Sequence, residues 1–222
     1  RRSSLVRSVL TAEAYNGREA LSQLIGRARW DLAETALEVS RAITGTGTPE
    51  ERARLAWFVL WNLDAFGGEG MELVGRMLED ESPLVRSSLA RAMLKQGVVD
   101  GGLEWVLPVL AADSERAVRA VAGEAIGKLA PDLSPQSSEA LERLLSDPES
   151  SVRARTLWGV VESVTLPAPA KLQRLSRVVS DPSPGVHREV AAMLKEYSDL
   201  LSDPGAPELI SELLSDPDEK TR

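Results

Sequence analysis

The 222-residue sequence predicts an all-α protein: a right-handed α-α superhelix, or solenoid, of stacked helical hairpins. Three observations lead there. A short signature, Asp followed five and six residues later by Val and a basic residue, returns along the chain at a nearly constant step. After each copy, apolar residues recur with the period of a helix. The composition, 43% apolar and 27% charged, is that of a folded chain with a core to bury.

The signature reads Asp80-Glu81-Ser82-Pro83-Leu84-Val85-Arg86, then Asp113 with Val118-Arg119, Asp147 with Val152-Arg153, and Asp181 with Val186-His187. A fifth copy, from Asp216 to Thr221-Arg222, runs into the C-terminus. Steps between the aspartates are 33, 34, 34 and 35 residues. A degenerate copy at Thr48-Pro49-Glu50-Glu51-Arg52-Ala53-Arg54 stands 32 residues before Asp80. Repeats thus start near 48, 80, 113, 147, 181 and 216, the last one truncated.

Residues 1–47 do not keep this period and read as an irregular N-terminal helical cap. Residues 18–43 form one or two helices with Leu21, Leu24, Ile25, Ala28, Leu32, Ala36, Leu37 and Ile43 as apolar positions. Gly45-Thr46-Gly47-Thr48-Pro49 then breaks the chain. Residues 53–63 are apolar nearly all round, with Trp57, Phe58 and Trp61, and call for cover from the cap. Gly67-Gly68-Glu69-Gly70 reads as a turn between repeats.

Within each later repeat an apolar stretch such as 103–110 or 141–145 supplies the first helix. The signature Asp is expected to N-cap the second helix, with Pro in its first position. In the third copy Val118, Ala122, Ala125, Ile126 and Leu129 make one helical face. No apolar run approaches the roughly 20 residues of a membrane helix.

Asp-Pro-x-x-x-Val-Arg opening a second helix, followed by Ala and Leu positions, resembles the HEAT repeat over residues 48–222. In that family the Asp and Arg form a polar ladder between neighbouring repeats. The resemblance therefore implies ladder roles for Asp80, Asp113, Asp147 and Asp181 with Arg86, Arg119 and Arg153. His187 stands at the Arg position of the fourth copy, with Arg188 beside it.

The same residues bound the chemistry. With no Cys, thiol nucleophiles and zinc-thiolate sites are excluded, and with His187 as the single His no multi-histidine metal site can be built. No cofactor is implied. Gly123-Glu124-Ala125-Ile126-Gly127-Lys128-Leu129 imitates a phosphate-loop fragment, but its spacing is short and Leu129 replaces the hydroxyl residue. Clustered carboxylates such as Glu79-Asp80-Glu81 fall at helix starts, where the helix dipole favours them.

The HEAT resemblance admits two catalytic precedents, alkylpurine DNA glycosylases and phycobilin lyases. Residues 1–54 carry net +2 and residues 55–222 net −10, too little positive charge for a groove that tracks phosphates. Nucleic acid is thus an unfavoured partner, although a nucleic-acid-binding or base-modifying protein using Arg91, Arg155 and Arg188 remains the alternative reading, with a lyase-like enzyme accessory behind it.

A helical wheel places residues two, six and nine after each Val away from the core. In HEAT-like stacks the second helices line the concave side, so this row should floor a groove: Ser87, Arg91, Leu94; Ala120, Glu124, Gly127; Ala154, Trp158, Val161; Arg188, Ala192, Lys195. Trp158, flanked by Val161, Glu124 and Arg155, is the expected anchor for another protein or peptide. Arg91, Leu94, Arg188 and Lys195 complete the candidate surface. The reading is a non-catalytic, cytoplasmic bacterial scaffold, expected to be one region of a longer chain, with self-association through its uncapped C-terminal end.

Overall fold

The computed structural model describes residues 2–12, 15–26, 30–97, 102–129, 134–218 and 221. Among them every regular element is a helix, and none is long and apolar enough to cross a membrane. Internal contacts divide the chain into an N-terminal unit, Arg1–Gly97, and a C-terminal unit, Val98–Arg222.

The N-terminal unit holds α1 (Arg2–Thr11), α2 (Tyr15–Gly26), α3 (Trp30–Thr46), α4 (Pro49–Trp61), α5 (Leu63–Leu78) and α6 (Pro83–Gln96). First helices stack on first helices, α3 on α5, and second on second, α4 on α6. Helices α1 and α2 lie against α4, so Leu10, Ile43, Leu55 and Phe58 are sealed. Two polar ties fix this cover. Asn62 Nδ2 donates to Ser22 Oγ at 2.9 Å, and Arg54 Nη1 to the Thr11 carbonyl at 2.7 Å. The cover is incomplete: Trp61 stays 56% exposed and stacks on Trp57 with centroids 5.2 Å apart.

Two boundaries differ from the sequence reading. Helix α3 runs through Gly45, and the break falls at Thr48, whose hydroxyl accepts from the Glu51 amide while Glu51 returns a bond to the Thr48 amide. That capping box starts α4 at Pro49. The glycines at 67–70 lie inside α5, not in a turn between repeats. The chain kinks there at Gly67, where φ is +54°, a conformation that costs little only without a Cβ.

The C-terminal unit holds α7 (Val106–Leu110), α8 (Arg116–Leu129), α9 (Pro135–Leu145), α10 (Ser150–Glu162), α11 (Ala168–Ser176), α12 (Pro184–Glu196), a 3₁₀ turn at Ser198–Ser202, and α13 (Ala206–Leu214). Again the second helices stack, α8 on α10 and α10 on α12. The α8–α10 contact is unusually close because glycines meet there. A Cβ on Gly127 would sit 2.7 Å from the Thr156 carbonyl oxygen, and one on Gly159 would strike the Glu124 main chain. Beyond it, Leu157, Val161, Leu172, Leu175, Val186, Val190 and Met193 form a core shared by α10, α11 and α12.

The signature aspartates do not cap helices as expected. Asp80, Asp147, Asp181 and Asp216 each accept, through Oδ1, from the amide two residues ahead, at 2.7 to 3.0 Å. This is an Asx turn rather than an N-cap. The N-cap positions are Ser82, Glu149 and Ser183, each two residues later. The first helical position is taken by Pro83 and Pro184, while Pro148 and Pro182 remain in the turn.

Candidate functional site

The Asx turn leaves each carboxylate free to bond a second group, and the preceding repeat supplies it. Arg119 Nε and Nη2 donate to the two oxygens of Asp147 at 2.7 and 3.1 Å. Arg153 does the same to Asp181, both at 2.6 Å. Meanwhile Arg119 Nη1 reaches back to the Asp113 and Ser114 carbonyls, and Arg153 Nη1 to those of Asp147 and Pro148. One guanidinium therefore ties its own turn and grips the next, the fork geometry for which Arg is suited. Arg86 Nη1 holds the Asp80 and Glu81 carbonyls in the same manner, and Asp113 makes its Asx turn with the Glu115 amide at 2.8 Å.

The first rung belongs to Arg52, which the sequence reading did not place in the ladder. Arg52 Nε and Nη2 bind Asp80 at 2.6 and 2.9 Å, and Nη1 holds the Gly47 carbonyl. Basic residues at this position are then 52, 86, 119, 153 and 187, steps of 34, 33, 34 and 34. The first repeat thus registers two residues earlier than the sequence reading placed it. Its Asp and Val positions are occupied by Thr46 and Glu51, and Glu51 is engaged in the α4 cap.

The rungs are sheltered: the aspartate side chains are 4–7% exposed and the arginines 10–15%. Burial pushes the carboxyl pKa of Asp80, Asp147 and Asp181 upward. The Arg hydrogen bonds, the amide of the Asx turn and the guanidinium charge together outweigh it, leaving all three below the ordinary value. The last rung differs in kind. His187 Nδ1 lies 2.5 Å from Asp216 Oδ2, while Nε2 is buried with no hydrogen-bond partner among the described residues. Arg188 Nε meets Asp218 Oδ2 beside it at 3.2 Å.

On the second helices of the C-terminal unit, an open cavity of about 430 Å³ is lined by Glu124 of α8, Ser151, Ala154, Arg155, Trp158 and Glu162 of α10, and Glu189 of α12. Trp158 is half-buried at its base, edge-on to Tyr197 at 6.4 Å. Its Nε1–H donates to Glu189 Oε2 at 2.8 Å. Arg155 Nε meets Glu124 Oε2 at 2.5 Å, and Lys128 Nζ donates to Glu162 Oε2 at 2.8 Å.

Of the expected groove residues, Glu124, Ala154 and Trp158 from the wheel and the flanking Arg155 come together here. Val161 does not: it is fully buried in the core of α10, α11 and α12. Ser87, Ala120 and Gly127 are buried as well. The physical reason is that a second helix inside a stack is covered by its own hairpin partner and also by the neighbouring second helix. A single-helix wheel sees only the first of these. Arg188 and Lys195 are exposed on α12. Lys195 borders a separate apolar hollow of about 240 Å³ with Leu194, Leu201, Ile210 and Leu214. Arg91 and Leu94 lie on α6, exposed and half-buried, in the other unit.

Glu162, Glu189 and Lys128 were missed by the sequence reading. A signal for them exists. Arg155 follows Glu124 by 31 residues, as Glu189 follows Trp158, and Glu162 follows Lys128 by 34. A separation of one repeat, or one repeat less three, marks positions that face each other on adjacent second helices.

Stacked helical hairpins tied rung to rung by Arg–Asp forks define a helical repeat scaffold. Two overlapping stretches, residues 71–161 and 103–194, match the family described as HEAT repeats and together span more than half of the chain. The protein belongs to the HEAT-repeat family. A comparison with curated proteins finds no match.

Proposed function

We propose that the protein is a non-catalytic scaffold that presents the groove across α8, α10 and α12 to another protein or peptide. The observation that carries this reading is the cavity at Trp158: a large aromatic, held by Glu189, in the lining of an open depression on a stack of helices. Trp is the residue type most enriched where binding energy concentrates, and rigid surroundings reduce the ordering cost of association. The family reading supports a binding surface of this kind.

The test is site-specific photocrosslinking in an extract of the source cell. A crosslinker at Ser151, on the rim of the cavity, should capture a protein that one at the exposed Gln173 of α11 does not. Protein adducts absent from Ser151, or shared equally by both positions, overturn the reading. For the nucleic-acid alternative the geometry is unfavourable, since Arg155 is committed to Glu124 and Arg188 to Asp218. Adducts at Ser151 that disappear on nuclease treatment would restore it.

A further inference from the structure

The cavity at Trp158 carries more than the presence of an aromatic. Three carboxylates, Glu124, Glu162 and Glu189, converge on it, against Arg155 in the lining and Lys128 behind Glu162. Each of the three is bound through Oε2, and a carboxylate has about four acceptor positions, so capacity for further donors remains. The local excess of negative charge matches the unit around it. The C-terminal unit has 13 basic residues against 21 acidic, whereas the N-terminal unit has 13 of each. The whole net charge of −8 therefore resides in the part of the chain that holds this cavity.

Resting on the scaffold reading above, we infer that the groove accepts an arginine side chain from a basic segment of its partner. The guanidinium lies against the Trp158 ring and donates to Glu162 and Glu189. An indole is the best ring for a cation, and its attraction to one grows as water is excluded. Arg suits the place better than Lys, because its planar fork both stacks on the ring and reaches two carboxylates at once. A purely apolar anchor would lie on the indole and Ala154 but leave Glu162 and Glu189 without a donor from the partner. An anion would meet three carboxylates. At about 430 Å³ the cavity is near the small end of ligand sites, which run from about 300 to 1,000 Å³, and takes one or two side chains rather than a whole helix.

The experiment is selection of a random short-peptide library displayed on phage against the full chain. Trp158→Leu serves as the counter-selecting bait, after its helicity and melting point have been matched to the parent. Affinities of the recovered peptides are then measured by titration calorimetry. Peptides with a shared Arg are expected, and replacing that Arg by Gln should weaken binding about tenfold or more. Glu189→Gln, which keeps an acceptor for the Trp158 Nε1–H and removes the charge, should weaken the Arg peptide at least about fivefold and its Gln analogue much less. Trp158-dependent peptides lacking any shared basic residue would overturn this inference while leaving the groove as a binding site. Failure to recover any Trp158-dependent peptide would overturn both.

Discussion

The α4–α6 stack of the N-terminal unit and the α8–α10–α12 stack of the C-terminal unit have the same kind of rung and differ in what lies beneath it. Arg52–Asp80 reproduces the forked geometry of Arg119–Asp147 and Arg153–Asp181 almost atom for atom. Under Arg52 the helix carries bulky groups, Phe58 and the Trp57–Trp61 pair, and α1 and α2 add cover to it. Under Arg119 the helix is thinned by Gly123 and Gly127, so that α10 closes onto its backbone. The polar rung is thus independent of how closely the helices approach. It fixes register, while side-chain volume fixes spacing.

The largest test of this contrast is volume added at the close approach. Gly159→Val places a branched side chain where the Glu124 main chain already stands and should cost about 3 kcal/mol or more, read as a lowered urea midpoint by circular dichroism. Gly75→Ala in α5, where an added Cβ meets nothing, is the matched control. It should stabilise by about 0.5–1 kcal/mol by reducing the freedom of the unfolded chain. If both glycines tolerate substitution alike, spacing is not set by side-chain volume.

Next in size is the rung itself. Arg153→Ala strands the Asp181 carboxylate in a sheltered site and should cost about 2–4 kcal/mol in the same unfolding assay. Arg52→Ala should cost a similar amount despite its different surroundings. A much smaller loss at Arg52 would show that the rung depends on what lies under it.

The pH dependence follows with its sign fixed by the aspartates. Folding lowers their pKa, so their contribution is complete above the unfolded value of about 3.9 and is lost as pH falls through the lower folded value. Urea midpoints measured from pH 7 downward should therefore fall steeply below about pH 4, and less steeply in Arg153→Gln.

The smallest effect concerns the rung that is not an Arg. His187→Arg restores the fork to Asp216 and removes a buried nitrogen that has no partner among the described residues. It should raise stability by about 0.5–1 kcal/mol in thermal unfolding. A loss instead would mean that the turn before Asp216 has adapted to imidazole.

Much of this was legible in the sequence because the rungs draw on chemically distinctive residues, an Asp and an Arg six apart in each copy, repeated at a nearly fixed step. Asp147 and Arg153 announce a repeat wherever they recur. Register was misread at the first copy, where Thr46 and Glu51 replace Asp and Val and only Arg52 persists. The N-cap assignment failed for a related reason: an Asp that bonds the amide two residues on looks, in sequence, like one that bonds three. Part of the groove could be read from a wheel, since Glu124, Ala154 and Trp158 each depend on the direction of their own helix. Val161, buried by α11 and α12, and Glu189, brought in by α12, depend on which helices come next to α10. That is a property of the stack, and a single repeat does not contain it.

The forks also bear on how quickly such a chain can find its fold. In the C-terminal unit the rungs span 28 or 29 residues and the helix-to-helix ties 31 to 35. The N-terminal unit closes over wider gaps, 40 residues for Asn62–Ser22 and 43 for Arg54–Thr11. Loop closure grows costlier with every added residue, and search time lengthens with the separation of contacting partners. The regular half can therefore grow hairpin by hairpin from any starting point, each new turn seized by the guanidinium of the last. The N-terminal half must first fold α1 and α2 back over α4 before Phe58 is sheltered from water.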